Sequence, residues 1–194
     1  MPALSRMMVF ADGENIVSRF QAMHKKGSEQ QPDVQHERDV FAWHPQAVQP
    51  DLHHVIRATY YTSAVGDEKT IWEIDEKIRS LQFQQYHLVA SPHISGLLGN
   101  KLSSLVLKRT KKPREIQRNR CSNVRRYILV NAYRNNLDTV YIITGDGDFV
   151  PGLEDVKRLG KRIYVAAFSS GLHPRIRAVA DRLVDLDGCF FFAK

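Results

Sequence analysis

Cysteine is scarce in this sequence, with Cys121 and Cys189 the two examples in 194 residues. Their separation matches no paired zinc spacing, and one pair makes no disulfide framework. Both are therefore expected to be reduced and incidental. Long apolar runs are also missing. The longest early one, Met7 to Ala11, is far shorter than a signal-peptide core or the ~20 residues of a membrane span. The expectation is a cytoplasmic protein with no membrane partner. Repeats and low-complexity stretches are absent as well, and 43% apolar content suffices for one substantial core. Residues 1–194 are accordingly read as a single domain.

Acid is the element most unevenly withheld. Lys101 to Arg126 holds ten basic residues against Glu115 alone, so this segment carries +9 of a net +7 and the remainder sums to −2. A run of charge can be a solvated loop. Ten cations held together, however, repel one another, and a polyanion relieves that repulsion while releasing its counterions. The partner this suggests is a nucleic-acid backbone. Lys108, Arg109, Lys111, Lys112, Arg114, Arg118, Arg120 and Arg125 are assigned to that contact.

What is present alternates strand and helix. "MMVFA" reads as a buried strand ending at "DGENI". From Ser28 to Pro50 the chain turns polar and proline-containing, which predicts an insertion loop with room for a short helix. His54 to Thr62 is β-branched and aromatic, hence a strand. Ile71, Ile74, Ile78 and Leu81 recur at helical spacing, and "YHLVA" reads as a short strand. "VRRYILVNAYRNN" predicts a helix ended by Asn135-Asn136, and "DTVYIIT" is the strongest strand. Next comes a helix with Pro151 in its first turn and Gly160 just past its end. "RIYVAAF", a helix within "HPRIRAVADR", and "LVDLDGCFF" as an edge strand complete the order. Connections this long exclude hairpins and predict an α/β fold with a mostly parallel sheet between helices.

In such a sheet, ligands bind at the carboxyl ends of the strands, near a reversal of strand order. Asp12 follows the first strand, and Asp146 and Asp148 follow "DTVYIIT". If those strands are neighbours, three carboxylates converge on one rim, where their repulsion favours a hard cation such as Mg²⁺ or Mn²⁺. An EF-hand loop fails, because Val150 and Pro151 stand where it needs an oxygen ligand and a glycine. A haloacid-dehalogenase arrangement fails on position, since its aspartate pair directly follows the first strand. Simple capping by Asp146 and Asp148 contributes, but "TGDGD" exceeds what a cap requires. The histidines His53, His54, His87 and His93 lack zinc spacing. Tyr60, Tyr61, Tyr86 and Trp72 are better read as packing residues than as base-stacking ones.

"VFADGENI", "AYRNNLDTVYIITGDGDFVPGLEDVKRLGKRIYVAAFSSGL" and "VADRLVDLD" together resemble the NYN domain, a PIN-like ribonuclease family, over Met7 to Asp187. The resemblance implies a three-layer PIN-like, Rossmann-like fold and metal-dependent endonucleolytic cleavage of RNA, single-stranded RNA being the expected substrate. It carries the metal-binding and catalytic roles onto Asp12, Asp146 and Asp148, with Asn15 orienting Asp12 or a metal-bound water. The basic segment would bind the strand, and Thr144, Ser169 and Ser170 could donate to phosphate oxygens. The chain departs from the family at one place. The K-G-x-D stretch and a later aspartate would align with Arg118, Asn119, Arg120, Cys121 and Tyr127, where no carboxylate stands. Glu14 and Glu115 are the spare acids. An RNA-binding module that has lost its chemistry is therefore the alternative to a nuclease, and a small-molecule phosphate hydrolase is disfavoured by the size of the basic segment.

Overall fold

The computed structural model describes residues 5–49, 53–62, 69, 72–74, 76, 88–90 and 124–193. Six strands form one sheet: β1 (Ser5–Asp12), β4 (His53–Tyr61), β5 (Leu88–Ala90), β6 (Thr139–Ile143), β7 (Arg162–Ala167) and β8 (Arg182–Asp185). Their order is β5-β4-β1-β6-β7-β8, and each neighbouring pair is parallel. Strand order reverses at β1, which lies between β4 and β6. That places the ends of β1 and β6 at the switch point of a doubly wound sheet.

The central strands are buried on both faces, which is why they read as continuous apolar runs rather than alternating ones. Met7, Val9, Ala11, Tyr141 and Ile143 point into one core. Met8, Phe10, Val140 and Ile142 point into the other. The first core is closed by α1 (Gly13–Lys25), through Ile16, Val17 and Phe20, and by the carboxyl-terminal Phe190 and Phe191. Three helices close the second: α2, helical at 124–133, α3 (Val150–Arg158) and α4 (Pro174–Val179). This is the three-layer α/β arrangement expected, and it is consistent with a PIN-like fold. Asn135 ends α2 in the left-handed region, at φ 55°. Trp72, Glu73, Ile74 and Glu76 are helical as predicted, and Lys69 just before them is helical too; Ile71, Ile78 and Leu81 lie outside the described residues.

Two expectations need correction. The polar stretch 28–50 is not a plain loop. It contains an antiparallel pair, β2 (Gln35–Glu37) and β3 (Phe41–Trp43), and a 3-10 turn at Pro45–Ala47. Its few apolar residues, among them Val34, Phe41, Trp43 and Val48, all enter the first core. Two buried strand tyrosines hold it there. The Tyr60 hydroxyl accepts from the Ala42 N–H at 3.1 Å, and the Tyr141 hydroxyl donates to the Ala47 carbonyl at 2.9 Å. A buried phenol needs a hydrogen-bond partner, and the insertion supplies it. Burial pushes both phenol pKa values well above their usual range.

The second correction concerns the carboxyl terminus. β8 is an edge strand but stops at Asp185, and Asp187–Phe190 form a short helix, α5. The chain turns back because Phe190 and Phe191 pack on Phe20, with ring centroids 5.9 and 5.2 Å away. As for the aromatic residues, Tyr60 and Tyr61 are packing residues as expected, whereas Trp72 is 62% exposed; Tyr86 lies outside the described residues.

Candidate active site

The site begins with register. Ala11 of β1 pairs with Ile143 of β6, so the next residues on each strand, Asp12 and Thr144, come side by side. Thr144 is buried, at 1% exposure, and its Oγ1 donates to Asp12 Oδ2 at 3.0 Å. The same Oγ1 accepts the Asp146 N–H at 3.1 Å. One hydroxyl thus links the two aspartates. The Thr144 proton is committed to Asp12, which corrects its expected role as a phosphate donor.

Asp12 also caps α1, where its Oδ1 accepts the Asn15 N–H at 3.5 Å. The Asn15 side chain also engages the neighbouring strand end. Its Oδ1 accepts the Gly145 N–H at 2.9 Å, tying α1 to the turn after β6. Gly145 has no room for a side chain, because a Cβ there would stand 2.7 Å from the Gly171 carbonyl oxygen. Asp146 caps the short 3-10 turn Gly147–Phe149, its Oδ1 accepting the Asp148 N–H at 3.0 Å. Gly145, Asp146 and Asp148 of "TGDGD" therefore each have a backbone task in addition to any chemistry.

Asp12, Asn15 and Asp146 line one cleft of about 810 Å³, together with Glu14, Asp39, Arg19 and His173. Asp148 is exposed and is not among the residues lining it. Among the described residues, no three His, Cys, Asp or Glu side chains gather closely enough to hold a metal ion. The expected three-carboxylate centre is therefore reduced to Asp12 and Asp146 on a shared rim. In the 3-10 turn Gly147–Phe149, Asp148 is the position left exposed to solvent. Two carboxylates still suit Mg²⁺ or Mn²⁺ in kind, since such ions often take one or two protein carboxylates and complete their shell with water and substrate phosphate.

Of the expected basic contacts, Lys108, Arg109, Lys111, Lys112, Arg114, Arg118 and Arg120 lie outside the described residues, as does Cys121. Arg125 is described, and its Nη1 donates to the Asp148 carbonyl at 3.0 Å while its stem lies against Gly152. It braces the turn from α2. Tyr127, aligned with a family acid, packs on the second core: its ring meets Phe10 edge-on at 6.2 Å and its hydroxyl accepts from Arg57. Ser169 is held by Asp187, whose Oδ1 accepts its N–H at 3.0 Å and whose Oδ2 accepts its hydroxyl. Ser170 Oγ is buried with no hydrogen-bond partner among the described residues.

Sequence reasoning passed over Arg19 and His173. Arg19 was within reach of a helical reading, since it follows Asn15 by four residues and so shares its face of α1. His173 gave no comparable signal. It reaches the site because the Gly145 carbonyl accepts its backbone N–H at 3.0 Å.

No curated protein matches the sequence. A crystal structure of a protein of unknown function from Vibrio parahaemolyticus is similar in fold, with a TM-score of 0.58 at 17% identity over 99% of both chains. The family model of the NYN domain matches residues 6–187, a span that includes both strand ends, the "TGDGD" turn and helices α1 to α4. The chain therefore belongs to the NYN domain family, a family of PIN-like nucleases.

Proposed function

We propose that the cleft hydrolyses RNA phosphodiester bonds, with one Mg²⁺ or Mn²⁺ ion held by Asp12 and Asp146. The observation that carries this reading is that two carboxylates from adjacent strand ends lie on the rim of one cleft, where the Thr144 hydroxyl ties the Asp12 carboxylate to the Asp146 backbone N–H. A bound ion would activate water and stabilise charge on the phosphoryl oxygens. The protein's own groups hold the geometry. Thr144 fixes the Asp12 carboxylate, Asn15 fixes the turn that presents Asp146, and Arg125 braces that turn from behind. Asp148, exposed beside the cleft lining, is assigned a secondary role in orienting water. The basic stretch 101–126 is assigned to binding single-stranded cytoplasmic RNA, with Lys108, Arg109, Lys111, Lys112, Arg114, Arg118 and Arg120 contacting phosphates.

The alternative is a binding module without chemistry. It draws support from the placement of Tyr127 in the core, which leaves that family acid position without a carboxylate. A cleavage assay on mixed single-stranded RNA with Mg²⁺ or Mn²⁺, run beside Asp146→Asn, separates the two. Metal-dependent cutting that drops at least a hundredfold in the variant supports the nuclease. RNA retained by the wild type but cut by neither protein sinks it and leaves the binding module.

A further inference from the structure

The described lining of the cleft carries four carboxylates, Asp12, Glu14, Asp39 and Asp146, and a single fixed cation, Arg19. Among the charged side chains of this described lining, that guanidinium alone attracts an approaching phosphate. Arg19 is also held in place. In the loop after β7, Gly171 adopts φ +90°, and a Cβ built on it would lie 2.2 Å from Arg19 Cζ and 2.4 Å from Nε. Both the left-handed backbone and the seated guanidinium demand glycine there.

The seat orients Arg19 without neutralising it. Its Nε is buried and has no hydrogen-bond partner among the described residues. Arg19 takes part in none of the ion pairs formed among the described residues, in contrast to Arg6 with Asp138 or Lys157 with Asp181. A buried donor left without an acceptor is costly, and an oriented, unpaired guanidinium matches the planar bidentate recognition of a phosphate. On the same loop, Ser170 Oγ is a second buried group lacking a partner among the described residues.

We propose that Arg19 binds a backbone phosphate of the nucleic-acid strand next to the one facing Asp12 and Asp146, and so sets the strand's register in the cleft. This inference rests on the nucleic-acid reading above and adds a named contact to it. Arg19 is then the counterweight that lets an acidic cleft accept a polyanion.

The test is the affinity of a short single-stranded RNA, measured by fluorescence anisotropy in EDTA over a range of salt concentrations. Arg19→Gln should weaken binding about tenfold or more, as loss of a charged hydrogen bond does. It should also lower the slope of log affinity against log salt by about 0.7, the value for one phosphate contact on a single strand. Arg162→Gln, at the opposite end of β7, serves as the control and should change neither. Arg19→Lys keeps the charge if the glutamine variant proves unstable. It should retain the slope but bind several-fold more weakly, because lysine lacks the fork. Unchanged affinity in both Arg19 variants, or equal losses in Arg19→Gln and Arg162→Gln, would overturn the contact while leaving the nucleic-acid reading intact. Wild-type protein with no affinity for the RNA would overturn that reading and the contact together.

Discussion

β1 and β6 run side by side, and the molecule ties their two ends in opposite ways. At the amino end, Arg6 Nη2 meets Asp138 Oδ1 at 2.8 Å, and the other carboxylate oxygen accepts from the Arg6 backbone and Nε. Charge there is matched one to one. At the carboxyl end, Asp12 and Asp146 share a neutral hydroxyl. The first end is arranged to be stable as it stands. The second leaves two carboxylates on one rim, an arrangement that invites a cation from outside the chain. Equivalent strands can thus serve structure at one terminus and chemistry at the other, and the nature of the link distinguishes them.

The largest effect that would sharpen this contrast is in metal binding. Mn²⁺ should raise the melting temperature of the wild type, by the equivalent of about 2.7 kcal/mol at a hundred times its dissociation constant. Asp146→Asn should show no such rise. Asparagine keeps a capping oxygen for the Asp148 N–H, so the variant should melt near the wild type without metal. An equal Mn²⁺ shift in both proteins would place the ion elsewhere. Next in size is Thr144→Val, which deprives Asp12 of a donor and the Asp146 N–H of an acceptor in a buried setting. A loss of about 1–3 kcal/mol in urea unfolding is expected, and a change near zero would show that the link carries no weight.

The smallest effect belongs to the amino end. Its pair is partly exposed, the Arg6 and Asp138 side chains retaining 40% and 38% of their accessible surface, so Asp138→Asn should cost at most ~1 kcal/mol. The hydrogen bonds from Arg6 hold the Asp138 carboxyl at about 2, below the ~3.9 of a free aspartate. A depressed folded pKa adds stability that is complete above the unfolded value and fades as pH falls through the folded one. The gap between wild type and Asp138→Asn should be constant near neutrality, narrow below about pH 4 and close near pH 2. A gap of undiminished size at pH 2 would assign the contribution to packing instead of ionisation.

The sequence carried the frame well because the central strands are uniformly apolar and the turns between them are marked by Gly, Asn and Pro. Asp12 and Asp146 were legible as strand-end residues, and adjacency of β1 and β6 brought them together. Asp148 was less so, because sequence does not reveal that the 3-10 turn leaves it exposed to solvent. The insertion misled through composition: Val34, Phe41, Trp43 and Val48 are few among polar neighbours, yet all are buried. Its anchors, Tyr60 and Tyr141, lie on other strands, so no local window contains both halves of the bond. Arg19 depends on a distant glycine loop in the same way, which is why helix periodicity alone could place its face but not its seat.

The two phenol anchors have a practical consequence for anyone reshaping this protein. Residues that look dispensable by composition, roughly the stretch from Gln30 to Gln49, are wired through Tyr60 of β4 and Tyr141 of β6 into the strands that flank β1. Trimming that stretch would strip two phenols of their partners and bare Phe41 and Trp43's side of the sheet. The shortened chain would then expose aromatic surface suited to self-association. Gly27, just past α1, has open space around it but adopts φ +84°, so a tag or label belongs beside this glycine and not in its place.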